Sequence, residues 1–392
     1  MLNINFTFHL MCAWGGGLII NKGIFGNWNF IFLLTLITLW VYVYCVVINK
    51  SLNGLLAQLN ILLFSRVLLC IKTKSLLLFY IFFELSVLPI TLIVFLFGYQ
   101  PEKLRASLSL LLYTVVSGLP LLLFILYMKS PIFIASSMMA MPITLRFIVK
   151  TPMYLLHTWL PKAHVEAPVA GSMVLASVLL KLGSYGLLLF LPFVKMNSLL
   201  VFYLSMACIG SLVGSFICLR QGDIKILIAY SSVVHIGVVT IGLVSGREIG
   251  YTCGLMIILS HGLSSPLLFA YSYSIYESSH SRMMINNSMG WPTIYFRFLF
   301  LIRLNIGVPP RLGLWAEVLI ATRILSFISC SLPILILLFF TRTLYNLYLF
   351  TTCMHNKFTL ISKPITINKF FPIIQTVVCG YISFFCLDLF HI

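Results

Sequence analysis

The sequence has 392 residues, of which 61% are hydrophobic and 8% charged, and its formal net charge is +17. Soluble domains carry about 25% charged residues, so this composition excludes a soluble globular enzyme and a disordered protein. The charge comes from 25 Lys and Arg against 8 Asp and Glu, without the contiguous basic runs of a nucleic-acid patch. The composition therefore excludes a nucleic-acid binder and indicates an all-α, polytopic membrane protein.

The chain begins with a weakly patterned segment. Residues 1–29 contain Gly15-Gly16-Gly17 and no regular apolar repeat, so we expect a short segment that lies at the membrane surface. They lack the charged and then apolar pattern of a secretory signal, and they are not Arg-rich and amphipathic like a transit peptide. Neither kind of targeting segment is predicted.

Residues 30–392 form a series of apolar segments of about 20 residues, the length that a helix needs to cross a ~30 Å hydrocarbon layer. They predict a single transmembrane domain of about twelve helices. The predicted segments are 30–49, 52–70, 76–98, 106–128, 133–160, 167–192, 198–219, 225–245, 250–276, 291–328, 331–352 and 371–390.

An acidic residue, Glu84, lies near the middle of the segment 76–98. An ionised side chain at that depth costs at least ~2.5–3.5 kcal/mol on insertion scales, so such groups face the interior of a helix bundle and pair with one another. We predict that Glu84 pairs with Lys150 and that Lys181 is their neighbour.

The segment 133–160 is too long for one straight helix and contains Lys150-Thr151-Pro152. Proline removes a backbone donor and disturbs the preceding turn, and the freed carbonyls are tolerated at membrane depth only against protein or a hydrated cavity. An interrupted helix is therefore predicted, with His157 and His164 on either side of a Trp-Leu-Pro-Lys run just beyond the interruption.

Lys181 lies in the middle of the segment 167–192. Burial favours the neutral form of a lysine, whereas a nearby carboxylate favours the charged form. A buried lysine whose carboxylate partner can approach and retreat is therefore a candidate proton switch. The alternative is a static ion pair that fixes how the helices pack.

Two more histidines, His235 and His261, lie inside apolar helices, the second among serines and beside a glycine. A neutral imidazole can accept a proton on one nitrogen while it donates from the other, so both are candidates for a proton relay. The alternative is a packing role. A haem site is not predicted, because each histidine stands alone in its predicted helix.

The segment 291–328 is the second long one, and it contains Val308-Pro309-Pro310 followed by the acidic Glu317. Two interrupted helices in separate halves of a chain indicate inverted repeats around a central ion path. A pair of simple kinks is the alternative. Glu317 joins Glu84, Lys150 and Lys181 as an ionisable residue at membrane depth.

Cofactor motifs are absent from the sequence. The ten cysteines have no C-x-x-C, zinc or ferredoxin spacing, and neither G-x-G-x-x-G nor the Walker phosphate loop occurs. We therefore expect no metal, NAD, FAD or ATP site in this chain.

One long motif resembles a known family. Residues 150–186 read KTPMYLLHTWLPKAHVEAPVAGSMVLASVLLKLGSYG, and Phe83-Glu84, Ser260-His261-Gly262 and Pro309-Pro310 before Glu317 agree in order. These stretches are similar to the antiporter-like membrane subunits of mitochondrial NADH:ubiquinone oxidoreductase (respiratory complex I), a family shared with Na⁺/H⁺ antiporter complexes. The resemblance extends over residues 30–390.

The resemblance implies roles for the matched positions. Glu84 and Lys150 look like the coupled glutamate–lysine pair of the family, and Lys181 looks like its central lysine. His235 and His261 match positions on a hydrated relay. Glu317 looks like the terminal residue of the family's proton path, which exchanges protons with the outer half-channel or with the next subunit.

The resemblance also implies the antiporter-like fold, with fourteen helices, ten of them in two inverted five-helix repeats that each contain a broken helix. The chain is expected to lack the first two of the fourteen. Two positions depart from the family pattern: Ala316 stands where Gly usually precedes Glu317, and Glu102-Lys103 stands where Glu-Arg is usual.

The function implied is that of a core membrane-arm subunit of complex I, which translocates protons across the mitochondrial inner membrane, coupled to NADH oxidation and ubiquinone reduction. NADH, FMN, iron–sulfur clusters and ubiquinone would be bound by other subunits, and this chain would contact neighbouring antiporter-like subunits and bound phospholipid. Two alternatives stay open: a cation/proton antiporter without NADH-oxidising partners, and a scaffold subunit that does not pump.

Overall fold

A computed structural model describes nine ranges of the chain: 28–48, 54–73, 75–127, 137–191, 197–245, 247–284, 292–308, 312–327 and 332–354. The predicted surface segment and the predicted helix at 371–390 lie outside these ranges, apart from the last residues before position 30.

Apart from one short π-helical stretch, the regular elements within these ranges are α-helices, and they follow the predicted apolar segments closely. In chain order they are α1 (Trp28–Ile48), α2 (Gly54–Lys72), α3 (Leu76–Leu85), α4 (Val87–Phe97), α5 (Lys103–Tyr127), α6 (Ser137–Lys150), α7 (Trp159–Glu166), α8 (Val169–Val174), the π-helical turn Leu175–Leu179, α9 (Leu180–Phe190), α10 (Asn197–Leu219), α11 (Ile224–Val244), α12 (Arg247–Ser279), α13 (Pro292–Ile306), α14 (Leu312–Phe327) and α15 (Leu332–Met354).

Two predicted segments are more complex than single helices. The segment 76–98 contains α3 and α4, which meet at Ser86, whose hydroxyl donates to the carbonyl of Phe83 at 2.7 Å. The segment 167–192 contains α8, the π-helical turn and α9. Neither change interrupts an apolar run, so hydrophobic patterning alone does not reveal it.

Eight helical segments of the described part are long and apolar enough to cross a membrane. Three of them, Val169–Phe190, Ile224–Val244 and Ile249–Glu277, have 89% of their most apolar stretch buried inside the protein, whereas Lys103–Leu126 has only 28%. The first three therefore form the centre of the bundle, and Lys181, His235 and His261 lie on them. The outer helices present leucine-rich faces, as lipid-facing helices do.

The first predicted interruption is confirmed. Helix α6 ends at Lys150 and α7 begins at Trp159. Between them, Leu155 adopts the left-handed conformation with φ 74°, which a leucine adopts only under constraint. Helices α9 and α10 approach this connection closely at two glycines: a methyl group added at Gly183 would lie 3.0 Å from Cβ of Lys150, and one at Gly210 would lie 2.7 Å from Cβ of Tyr154.

The second predicted interruption is confirmed as well. Helix α13 ends at Ile306, and Gly307 has φ 87°, which is the left-handed cap that glycine provides at helix ends. The amides of Gly307 and Val308 both donate to the carbonyl of Arg303, at 3.2 and 3.3 Å. Helix α14 begins at Leu312; Pro309 and Pro310 lie outside the described residues.

Candidate functional site

The carboxylate of Glu84 forms an ion pair with a residue that the sequence analysis left out. Nη2 of Arg146 lies 2.6 Å from Oε1 of Glu84, and the arginine side chain is completely buried. Nη1 of Arg146 also donates to the carbonyl of Thr114 and, at 3.1 Å, to the hydroxyl of Ser117. Arg146 therefore links α3, α5 and α6.

The predicted direct pairing of Glu84 with Lys150 is wrong for this structure. Nζ of Lys150 lies 3.4 Å from the centroid of the Phe83 ring and donates to the Phe83 carbonyl over a long 3.4 Å. The physical reason is the geometry of α6: Arg146 precedes Lys150 by four residues, so both cations lie on one helix face beside the same acid. The longer guanidinium, with five donors, reaches the carboxylate and two α5 oxygens together.

Lys181 is held by the π-helical turn of its own segment. The amide of Leu180 donates to the carbonyl of Leu175, five residues earlier, instead of to that of Ala176 as in a regular α-helix. The Ala176 carbonyl accepts a hydrogen bond from Nζ of Lys181 at 2.5 Å. The turn thus supplies a backbone acceptor to a buried ammonium. Lys181 does not contact Glu84, although its helix α9 packs against α6 through Gly183.

The two histidines beside the first interruption have different surroundings. His164 is fully buried and its ring stacks on Phe269 at 4.6 Å between centroids, while the charges of Lys181 and Lys225 both act on it. His157 packs between the rings of Tyr154 and Tyr230, at 5.7 and 6.0 Å. His164 thus packs on a single aromatic ring, whereas His157 lies between two tyrosine rings.

His235 of α11 and His261 of α12 lie together. Their rings are stacked, with centroids 4.7 Å apart and planes inclined by 16°, and both side chains are buried. The next residue along α12 is Gly262, where an added methyl group would lie 3.8 Å from Cε of Lys181. The histidine pair and Lys181 therefore occupy one region between the three central helices.

Glu317 lies in a second carboxylate–arginine group near the second interruption. Its Oε1 accepts a bond from Nη1 of Arg342, whose Nη2 donates to the carbonyl of Asn305 at 2.8 Å. The side-chain Nδ2 of Asn305 donates to Oδ1 of Asn346 at 2.8 Å. Nδ2 of Asn346 donates to the backbone carbonyl of Arg342 at 2.9 Å. Helices α13, α14 and α15 are joined by this buried network.

Sequence reasoning missed both arginines, although a signal was present. Arg146 and Arg342 fall in the middle of the predicted apolar segments 133–160 and 331–352, away from the segment ends where a long side chain can reach the interface. A carboxylate at membrane depth requires a partner, and each arginine is such a partner. The structure thus brings predicted residues into three groups: Glu84 and Lys150 with Arg146, His235 and His261 near Lys181, and Glu317 with Arg342.

The described residues contain no group of three or more His, Cys, Asp or Glu side chains that could hold a metal ion. The stacked arrangement of His235 and His261 presents ring faces to each other, so it does not resemble a pair of axial ligands. The lysine, histidine and carboxylate side chains of these groups can bind and release protons.

The sequence and the fold of the chain match those of known proteins. The sequence model of the family described as NADH:quinone oxidoreductase/Mrp antiporter, transmembrane region, matches residues 73–345. The chain is 36% identical to NADH-ubiquinone oxidoreductase chain 4 of Lumbricus terrestris over 363 residues, which cover 85% of this chain and 80% of that protein. It is 36% identical to the protein of the same name from Albinaria caerulea over 383 residues, which cover 93% and 85%.

Solved structures share the fold. A chain of respiratory complex I from Thermus thermophilus with bound NADH superposes with a TM-score of 0.84 at 22% identity, covering 92% of this chain and 83% of that one. A chain of the Mrp complex from Dietzia sp. DQ12-45-1b gives a TM-score of 0.81 at 15% identity, covering 92% and 82%.

Proposed function

Because the chain belongs to the NADH:quinone oxidoreductase/Mrp antiporter family, we propose that its buried ionisable residues carry protons across the membrane. The chain is a core membrane-arm subunit of NADH:ubiquinone oxidoreductase (complex I) in the mitochondrial inner membrane. It contributes to proton translocation coupled to NADH oxidation and ubiquinone reduction. Its partners are the other subunits of the membrane arm.

The observation that supports the proposed path is that buried ionisable side chains lie in three groups within the bundle. In the proposed path, protons pass from Glu84 and Lys150 to Lys181, then to His235 and His261, and finally to Glu317. His157 and His164 have secondary roles at the first interruption. Charged and polar groups at membrane depth are expensive and mark ion pathways, and each group here is buried or half-buried.

Proton movement along this path is electrostatic in the proposed mechanism. Quinone reduction elsewhere in the complex changes a neighbouring charge, and Glu84 moves relative to Lys150. A carboxylate that approaches a buried lysine favours proton uptake, and one that retreats favours release. The released proton passes through Lys181 and the histidines to Glu317. The redox cofactors NADH, FMN, iron–sulfur clusters and ubiquinone act in other subunits.

The two interruptions support a finer proposal about the fold. The α6–α7 connection and the α13–α14 connection lie in separate halves of the chain, as expected for two inverted five-helix repeats around a central path. We propose that residues 30–392 form a single domain of about twelve spans and that residues 1–29 lie at the membrane surface. Bound phospholipid would cover the leucine-rich outer faces of α2 and α5.

An experiment on the whole complex tests this function against the alternative of an independent cation/proton antiporter. The complex that contains this chain is purified and reconstituted into liposomes. We expect NADH and a soluble ubiquinone analogue to drive proton translocation without a requirement for Na⁺. Purification of the chain without NADH-oxidising subunits, together with pH-dependent Na⁺ exchange, would instead support the antiporter function. The fold similarity to the Mrp complex makes this the relevant alternative.

A further inference from the structure

Arg146 forms an ion pair with Glu84 and lies one helical turn from Lys150, the two groups that the proposed mechanism needs to couple. Arg146 and Lys150 share one face of α6, and both cations lie over the ring of Phe83, at 5.0 and 3.4 Å from its centroid. Phe83 directly precedes Glu84 in α3. The charges of Arg146 and Lys150 both act on Glu84, yet only Arg146 forms an ion pair with it among the described residues.

The two cations differ in how firmly they are held. Arg146 has three partners on two other helices: Glu84, the carbonyl of Thr114 and the hydroxyl of Ser117. Lys150 has an aromatic face and one long hydrogen bond. A cavity of about 20 Å³ lies beside Lys150 and is lined by Thr114 and Trp159, which is enough for roughly one water molecule. Lys150 therefore has room to move, whereas Arg146 is fixed.

Arg146 and Lys150 also differ in how readily they lose a proton. A guanidinium does not lose its proton in a protein, whereas a buried lysine does so readily. Arg146 thus presents a permanent positive charge to Glu84 but cannot carry a proton itself. Lys150 can carry one. Small residues also leave room for the carboxylate, because a methyl group added at Gly118 of α5 would collide with Oε1 of Glu84.

We propose that Arg146 is a positioning residue for proton transfer: it holds the ionised Glu84 away from Lys150 and takes the carboxylate back after each exchange. When Glu84 moves to Lys150, the lysine binds a proton; when Glu84 returns to Arg146, that proton leaves the lysine nitrogen for the next group on the path. Without Arg146, Glu84 has Lys150 as its remaining strong partner and stays there. This inference rests on the proposed roles of Glu84 and Lys150.

The test uses the assembled complex in liposomes and measures protons translocated per NADH oxidised. Arg146→Met keeps the length of an unbranched side chain without its charge. We expect the ratio to fall by as much as it falls in Lys150→Met. The matched control is Arg105→Met, at an exposed arginine of α5, which is expected to keep the wild-type ratio.

Arg146→Lys provides a test that does not depend on the methionine variant assembling. The introduced amine can lose its proton, so its hold on Glu84 fails at alkaline pH. We expect normal pumping near neutrality and a loss of pumping at a pH about one unit lower than in the wild type. The titratable and charged groups that face this position are Glu84 and Tyr80 of α3 and Lys150 of α6, and Cys70 of α2 faces Lys150.

The outcomes separate this inference from the proposed function. An unchanged pH profile in Arg146→Lys, or a wild-type ratio in an assembled Arg146→Met complex, overturns the role of Arg146. A purely structural arginine would change the amount of assembled complex without moving the pH profile. A wild-type ratio in Lys150→Met would instead overturn the proposed path, whatever the arginine variants do.

Discussion

At the scale of single residues, the two deep carboxylates have the same kind of partner. Glu84 pairs with Arg146, and Glu317 pairs with Arg342. Both arginines are almost completely buried. An arginine is a permanent charge with a planar set of donors, whereas a lysine is a point charge that titrates when buried. We therefore propose that the permanent charges hold the carboxylates and that Lys150 and Lys181 remain for proton transfer.

The Glu317–Arg342 pair leads to a prediction about assembly. Removing one member of a buried ion pair leaves an uncompensated charge and costs about 3–5 kcal/mol, whereas replacing both members by neutral residues costs much less. We therefore expect Glu317→Gln and Arg342→Met each to lower the amount of assembled complex and its thermal midpoint. The double variant should recover both but not the protons translocated per NADH.

Native gels and thermal denaturation of the purified complex provide the measurement for this pair. Arg220→Met, at an exposed arginine at the end of α10, is the control for the loss of a positive charge. Equal destabilisation in the single and the double variants would show that the pair is not the source of the effect.

Residue chemistry explains which parts of the site were predictable. Glu84, Lys150, Lys181 and Glu317 stand out in the sequence because a charge in an apolar run is expensive. The partner of each charge depends on how helices pack, and sequence spacing does not give that packing. Arg146 competes with Lys150 for Glu84 because the two are four residues apart on α6. His235 stacks on His261 from a different helix. The sequence of neither helix indicates this contact.

At the scale of single elements, the interruptions were predictable and the π-helical turn was not. Prolines and excess length predicted the breaks at 151–158 and after Ile306. The turn Leu175–Leu179 contains no proline or glycine and keeps an apolar pattern, so nothing in its composition marks it. Its consequence is specific, because it presents the Ala176 carbonyl to Lys181. π-helical turns inside α-helices are often found at functional sites.

The packing of α9 against the first interruption leads to a prediction about Gly183. A methyl group at this position would lie 3.0 Å from Cβ of Lys150 and 3.1 Å from Cγ2 of Thr151. Overpacking of this kind costs about 1–3 kcal/mol, because α9 must move away from the end of α6. We expect Gly183→Ala to lower the thermal midpoint of the complex and the protons translocated per NADH.

Gly54→Ala is the control for this variant, since a methyl group at Gly54 would meet no atom within 4 Å. The thermal midpoint of each purified complex and its pumping ratio are compared with the wild type. If Gly183→Ala matched Gly54→Ala in both measurements, the close contact of α9 with the broken helix would not matter for function.

At the scale of the whole molecule, the net charge of +17 reflects a shortage of acidic residues. Acidic residues are rare in this chain because most of its helices are apolar and long enough to cross a membrane. Two of the eight acidic residues, Glu84 and Glu317, lie inside helices and have arginine partners. The family predicted from the motif at residues 150–186 is confirmed by the relatives and by the family match over residues 73–345. The centre of the bundle is formed by the three helices that carry Lys181, His235 and His261.

We propose that protons cross the chain through this centre, and a substitution of Lys181 tests this path. The measurement is the number of protons translocated per NADH oxidised by the assembled complex in liposomes, for Lys181→Met and for Lys162→Met, an exposed lysine of α7. We predict a reduced ratio in Lys181→Met and a wild-type ratio in Lys162→Met. A wild-type ratio in an assembled Lys181→Met complex would contradict the account.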